Sequence, residues 1–349
     1  MISVDGAQKS GSGTIVRFAV ALAALLNNEL HLTNIRAKRE KPGLRPQHLQ
    51  AVEALREICR GTLAGGKVGS GEIRFKPGGR VKGGSYQWDI GTAGSTTLLV
   101  MTLLPAAIFA VKPMHLRISG GLFQDFAPSA YHMQHVLFPL LKKMGITARL
   151  SIVRPGYVPR GGGIIEVDIE PVTGKMKPIR LAERGDIVSI DGIALASHLK
   201  DRRVGERMAE KCNEVLRARG YRARIEIVND TTALQRGAAL AVFVTTSTGC
   251  IISADRAGEL RRTAEDIGRY VARQLIEDLD SGATVDRYLA DQLVLYAALA
   301  DGVSEYRTPG LTEHVDTNLW LVESILGAKT EVNQNLVRIH GVGYFPPPS

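Results

Sequence analysis

The 349-residue sequence predicts an α/β (α+β) fold in which three repeated two-helix/β-sheet units form a large domain and a smaller α/β domain is inserted. Three observations carry that expectation. Residues 11–60 match residues 95–144 at a constant shift of 84, so that His31-Leu32 falls on His115-Leu116 and His48-Leu49-Gln50 on His132-Met133-Gln134. A shift of 267 lays Pro42-Gly43-Leu44 on Pro309-Gly310-Leu311, Ile58 on Ile325 and Gln47 on His314. Between Leu181 and about Asp278 runs a segment with its own strand and helix pattern, long enough to bury a small core.

The first unit reads as a small-residue turn at Gly11–Gly13, an apolar helix over Thr14–Leu26 and a strand over His31–Ile35. A second helix follows over Pro46–Arg60, then strands near Gly66–Val68 and Glu72–Lys76. Helices are assigned from apolar spacing of three and four, strands from short β-branched runs between Gly and Pro. The second unit repeats the order: a turn at Gly94–Thr96, a helix over Thr97–Ala110, a strand over Met114–Ser119, a helix over Ser129–Met144, and strands over Thr147–Val153 and Ile164–Ile169.

The third unit is interrupted. Its helices are expected over Val285–Leu299 and Val315–Leu326, and its strands over Glu305–Arg307, Thr330–Asn333 and Leu336–His340. The intervening segment predicts strands at Ile187–Ile193, Arg222–Val228, Ala238–Thr246 and Cys250–Ala254, with helices at Val204–Arg219 and Thr263–Asp278. The large domain is therefore placed at 1–183 and 279–349, with units of about 1–85, 86–172, and 173–183 plus 279–349; the inserted domain takes 184–278.

Composition narrows the function classes. An apolar content of 44% with 23% charged residues excludes a disordered chain, and a formal net charge of +9 suits a polyanionic partner. Aromatic residues, at 5%, are too few for a broad base-stacking platform, so a nucleic acid would be gripped at an end. Cys59, Cys212 and Cys250 lack metal-binding spacing and fit a reducing compartment. No apolar run is long enough to span a bilayer. Phe18–Leu26 has the apolar character of a signal-peptide core but follows Asp5, Gln8 and a Gly/Ser stretch, and reads as a buried helix. The expected location is cytoplasmic, or nuclear in a eukaryote.

Candidate site residues come from the repeats. His314 occupies the mouth of a turn–helix unit, near a helix N-terminus that receives phosphate oxygens well, and is the candidate nucleophile. Gln47 and Tyr131 are its equivalents, and threefold repetition tends to bring such positions toward one axis. Arg36, Lys38, Arg39, Lys41 and Arg45 flank the first Pro-Gly-Leu turn and are read as phosphate-binding rather than merely solvated. Gly11-Ser12-Gly13-Thr14 either offers backbone N–H groups to phosphate or packs a helix start tightly; it is neither a Walker loop nor a dinucleotide fingerprint. Gly161-Gly162-Gly163 implies the close approach of another backbone or a ligand. Asp291 and Gln292, at a helix start, are either capping partners or contacts to a base or ribose.

Taken together, Asp5-Gly6, Gly11–Arg17, Ile35-Arg36-Ala37, Lys41–Leu49, Ala93-Gly94-Ser95, Gly156–Gly163, Glu183-Arg184-Gly185, Tyr288–Gln292 and His314–Asn318 resemble RNA 3′-terminal phosphate cyclases along nearly the whole chain. The resemblance implies three repeated α/β units with an inserted smaller domain, a fold also similar to that of enolpyruvyl transferases. It implies an ATP-dependent reaction with a divalent metal (Mg2+ or Mn2+), acting on RNA with a 3′-terminal phosphate. A histidine takes AMP from ATP, AMP passes to the RNA 3′-phosphate, and the neighbouring 2′-OH closes a 2′,3′-cyclic phosphate. By the same resemblance His314 is the nucleophile; Arg17, Arg36, Arg39, Gln47 and His48 hold phosphates; and Tyr288, Leu289, Ala290, Asp291 and Gln292 contact the nucleoside.

Three positions depart from the family pattern. Ser10 stands where a glutamate is associated with the metal, Met101 where a glutamine commonly contacts ATP, and Pro155 where Arg or His precedes the Gly-rich turn. The rival expectation is a non-catalytic cyclase-like factor that binds RNA in ribosome assembly; such relatives lack the histidine, which this chain keeps.

Overall fold

The computed structural model describes residues 1–125 and 127–347. Its first unit contains β1 (Ile2–Asp5), α1 (Gly13–Leu25), β2 (Leu30–Thr33), α2 (Pro46–Ile58), β3 (Thr62–Ala64) and β4 (Ile73–Lys76). The second contains β5 (Gly84–Asp89), α3 (Thr96–Ala107), β6 (Met114–Gly120), α4 (Ala130–His132), α5 (Phe138–Lys143), β7 (Thr147–Arg154) and β8 (Gly163–Glu170). A short β9 (Arg180–Leu181) comes next. It is followed by β10 (Ile187–Ser197), α6 (Val204–Arg217), β11 (Arg224–Asp230), β12 (Gly237–Thr246), β13 (Ile251–Ala257) and α7 (Ala264–Asp280). The chain ends with α8 (Leu289–Leu299), β14 (Val303–Arg307), α9 (Glu313–Leu326), β15 (Lys329–Asn333) and β16 (Leu336–His340).

Among the described residues, three of the four sheets share one topology: β1-β2-β4-β3, β5-β6-β8-β7 and β9-β14-β16-β15. In each, the first two strands are parallel and the other pairings antiparallel. The third sheet takes its leading strand from before β10 and the rest from after α7. The fourth sheet, β11-β10-β12-β13, is covered by α6 and α7, which pack on each other and bury Met208, Cys212, Val271 and Leu275 in a core of their own.

The leading strands β1, β5 and β9 are absent from the sequence expectation. They are short edge strands that pair with residues beyond an intervening helix or, for β9, beyond the whole inserted segment, and no local pattern announces that pairing. The strand expected near Gly66–Val68 lies instead at Thr62–Ala64, because Gly65 (φ +77°) and Gly69 (φ +83°) turn the chain. The helix expected over Ser129–Met144 is broken by a π turn at Met133–Leu137, where the Phe138 N–H reaches back to Met133 O. Pro139 has no N–H to continue the regular ladder. The helix expected from Val285 begins at Leu289, because the Asp286 carboxylate accepts hydrogen bonds from the Tyr288 and Leu289 N–H groups at 3.0 and 2.8 Å.

Helix packing follows a cyclic rule. Each unit's first helix rests on the second helix of the preceding unit: α3 on α2, α8 on the π turn after α4, and α1 on α9. First helices enclosed in this way are apolar all round, as the run in Phe18–Leu26 suggests. Each loses its burial at one residue: Arg17 in α1, Leu98 in α3 and Asp291 in α8. All three line one cleft.

Candidate active site

The cleft encloses about 520 Å³, within the range of small-molecule sites. It is lined by Arg17, Arg36, Arg39, Gln47, His48, Met101, Tyr288, Asp291, Gln292 and His314, ten of the positions singled out from sequence. Leu289 and Ala290 do not reach it. Both are fully buried, because the helical period turns them into the core and leaves Tyr288, Asp291 and Gln292, three and four residues apart, toward the opening.

His314 is the second residue of α9. Thr312 caps that helix, its hydroxyl accepting from the Val315 N–H at 3.2 Å, and Gly327 (φ +71°) ends it. Gln47 and Tyr131 are likewise second residues of α2 and α4. Of these equivalents Gln47 shares the cleft, whereas Tyr131 packs beside Phe123 and lines a smaller neighbouring cavity.

The Nδ1 of His314 lies 3.3 Å from Thr14 Oγ1, and Arg17 Nη2 donates to that same oxygen at 3.1 Å. Partial desolvation first, then Arg17 and Arg39, hold the His314 pKa below that of a free imidazole; Glu313 opposes them. The ring is therefore neutral at neutral pH, the form that can act as a nucleophile.

His48 is buried and takes a supporting place. Its Nδ1 accepts from the Arg45 N–H at 3.3 Å, and burial, followed by Arg17, Arg36 and Arg45, pushes its pKa down to about 3. Its Nε2 presses on the glycine turn, where a Cβ at Gly13 would lie only 2.1 Å away. Gly13 is thus fixed by packing at the helix start. Arg36 spends part of its guanidinium on the Pro-Gly-Leu turn, donating to Lys41 O at 2.7 Å and Gly43 O at 2.9 Å. Arg39 is exposed at the cleft mouth.

Burial pushes the Asp291 carboxyl up to about 7, against the pull of Arg17 and His132. Behind it, His132 Nε2 lies 3.3 Å from Asp286 Oδ1, while Ser253 donates to Asp286 Oδ2 from both N and Oγ, at 3.1 and 2.8 Å. Burial disfavours the Asp286 carboxylate, but the His132 contact and the N–H and hydroxyl donors outweigh it and leave its pKa lowered. This knot ties α4, β13 and the start of α8 together beneath the cleft.

Ser10 does not line the cleft. Its Oγ lies 2.9 Å from both Thr317 Oγ1 and Ser12 Oγ, so it joins the glycine turn to α9. Among the described residues no group of three or more His, Cys, Asp or Glu is placed to hold a metal ion. The donors present do not fit a protein-built metal cage. Gly161 and Gly163 are explained by backbone proximity: a Cβ would meet Thr92 O at 2.6 Å and the Gly156 N at 2.6 Å.

Thr14, Asp125, Arg287 and Thr312 also line the cleft without having been singled out individually. Thr14 ends the small-residue turn, which was a usable signal. Asp125 had none, because its partners Arg256 and Arg262, at 3.1 and 2.8 Å, lie over a hundred residues away.

The model of the family described as RNA 3′-terminal phosphate cyclase matches residues 8–332. A Staphylothermus marinus protein named RNA 3′-terminal phosphate cyclase is 37% identical over 359 residues, covering 99% of each chain. Proteins of the same name from Methanopyrus kandleri and Nitrosospira multiformis are 37% identical over 337 residues and 36% over 351, covering 95% of each chain and 99% and 98% respectively.

Proposed function

This chain belongs to the RNA 3′-terminal phosphate cyclase family, and from that premise we propose that the cleft converts an RNA 3′-terminal phosphate to a 2′,3′-cyclic phosphate at the expense of ATP. The observation that carries the assignment is the His314 ring beside Thr14 Oγ1 in the first turn of α9, in a cleft that Arg17 and Arg39 also line.

The reaction runs in three displacements. His314 attacks the α-phosphorus of ATP through Nε2, a P–N bond forms and pyrophosphate leaves. For Nε2 to present its lone pair, Nδ1 must carry the ring proton, and Thr14 Oγ1 has a lone pair free to accept it beside the one used by Arg17. An oxygen of the RNA 3′-phosphate then attacks the AMP phosphorus and releases His314. The adjacent 2′-OH finally attacks the 3′-phosphorus, closing the ring as AMP departs. Arg17 and Arg39 meet the charge that develops on the transferring groups, and the free N–H groups of the first turn of α9 add to them. Tyr288, Asp291 and Gln292 face the nucleoside.

A divalent ion, Mg2+ or Mn2+, would enter on the triphosphate oxygens, since the donor set of the cleft does not build a cage for it. Segment 184–278 is taken as an inserted domain on the strength of its separate sheet and core. Among the described residues no helix is long and apolar enough to cross a membrane; the cytoplasm is the proposed site of action. The rival reading, a non-catalytic RNA-binding factor, draws only on Ser10, whose hydroxyl faces Thr317 rather than the cleft.

The test is incubation with α-labelled ATP and a divalent ion, then denaturing electrophoresis. An AMP adduct labile to acid, stable to alkali and missing in His314→Ala supports the reading. No adduct under any divalent ion, or labelling that survives His314→Ala, would overturn it.

A further inference from the structure

A second pocket of about 280 Å³ lies beside the cleft, lined by Asp266, Arg269, Tyr270, Arg273, Gln274, Glu277 and Arg287. Six of these seven residues fall on α7 at spacings of three and four, so they form one stripe along that helix. The two cavities are continuous in chemistry. Arg287 lines both of them, and the Tyr270 phenol adjoins that of Tyr288, which faces the cleft.

Two features of this stripe are unexplained by packing. Gln274 is only 3% exposed, yet neither its Nε2 nor its Oε1 has a hydrogen-bond partner among the described residues. A buried amide left open in this way costs stability unless something else satisfies it. Arg273 is exposed and makes no ion pair among the described residues, whereas Arg269 is held by Asp266 at 2.7 Å and Arg287 by Glu277 at 3.2 Å. Tyr270, 36% exposed, carries the Arg256 guanidinium 4.2 Å from its ring centroid.

We infer that this pocket is a subsite for the nucleotide unit upstream of the RNA's reacting end. The inference rests on the cyclase reading of the adjoining cleft. A cationic side chain without a carboxylate partner, an aromatic ring and an open amide on one helix face suit a single-stranded polynucleotide: Arg273 meets a phosphodiester, Tyr270 a base or ribose face, and Gln274 a polar base edge. Asp266 and Glu277 keep the neighbouring arginines from forming an indiscriminate anion trap. The 3′-phosphate enters the cleft while the preceding nucleotide passes Arg287 and rests on α7, which gives the inserted segment a part in substrate binding.

The experiment measures the affinity of the full-length protein for a fluorescein-labelled single-stranded oligoribonucleotide with a 3′-phosphate, alongside AMP labelling from ATP on the same samples. Arg273→Glu is expected to weaken RNA binding about tenfold and leave AMP labelling unchanged, with Arg273→Lys restoring most of the affinity. Gln274→Leu, which keeps the volume, is expected to weaken binding severalfold. Equal RNA affinity in wild type and Arg273→Glu overturns the subsite, and so does an equal loss of RNA binding and AMP labelling. Absence of labelling in every protein, with the RNA affinity still falling in Arg273→Glu, would remove the reading of the cleft and leave the subsite standing.

Discussion

Thr14 Oγ1 sits 3.3 Å from His314 Nδ1 and 3.1 Å from Arg17 Nη2, so one hydroxyl joins the helix starts of the first and third units across the cleft. The two residues are 300 positions apart in sequence. That bond sets which ring nitrogen faces the ligand. Replacing Thr14 by Val keeps the shape and removes the acceptor. AMP labelling of His314 in Thr14→Val should slow by about 10²-fold, since a mis-set ring spoils the line of attack. Thr14→Ser should recover most of the rate. Equal single-turnover rates in wild type and Thr14→Val would remove Thr14 from the mechanism.

The pH dependence follows from the lowered pKa of His314. Only the neutral ring attacks, so the single-turnover rate of AMP transfer should fall as pH drops through that lowered value. Its acid limb is expected below the ordinary imidazole range of about 6.5. Arg39 contributes to the lowering, so Arg39→Gln should move the limb upward in pH as well as weaken ATP binding. A limb that stays in place would assign the shift to desolvation and Arg17 and remove Arg39 from it.

His48 links pH to stability. Its pKa is about 3 in the fold and about 6.5 in an unfolded chain. Between those values the unfolded state binds the extra proton, so stability falls as pH is lowered through this window, by up to about 1.4 kcal/mol per pH unit. Urea titrations from pH 7 to pH 4 should show a shallower loss in His48→Gln than in wild type.

The contact of His48 with Gly13 gives a coupled pair. Gly13→Ala places a Cβ 2.1 Å from His48 Nε2 and should cost about 1–3 kcal/mol through overpacking. Adding His48→Ala should return part of that loss, seen as a positive coupling in thermal unfolding. Strictly additive effects would mean that the turn relaxes independently of the histidine.

Asp286→Asn should be among the most damaging substitutions outside the cleft. It leaves His132 buried without its counter-charge and weakens both the cap of α8 and the tie to Ser253. A loss of about 3–5 kcal/mol is expected from equilibrium unfolding. A loss below about 1 kcal/mol would show that the pair is not ionised in the fold.

The local part of this protein was legible in its sequence. Apolar periods placed most helices within a few residues, Leu336–His340 was matched at both ends, and the 84- and 267-residue shifts disclosed units whose sheets share one topology. The turn–helix repeat also put His314 and Gln47 at the same helical position. Tertiary structure decided the rest. Strands β1, β5 and β9 exist only through parallel partners far along the chain, and the turning of Leu289 and Ala290 into the core depended on where Asp286 starts α8. Residues such as Asp125 and Thr14 acquire a role only when cyclic packing of the three units brings distant side chains within hydrogen-bond reach. Periodicity and turn chemistry are short-range and are written residue by residue; the composition of a cleft shared by three units is set by long-range packing, which no window of sequence contains.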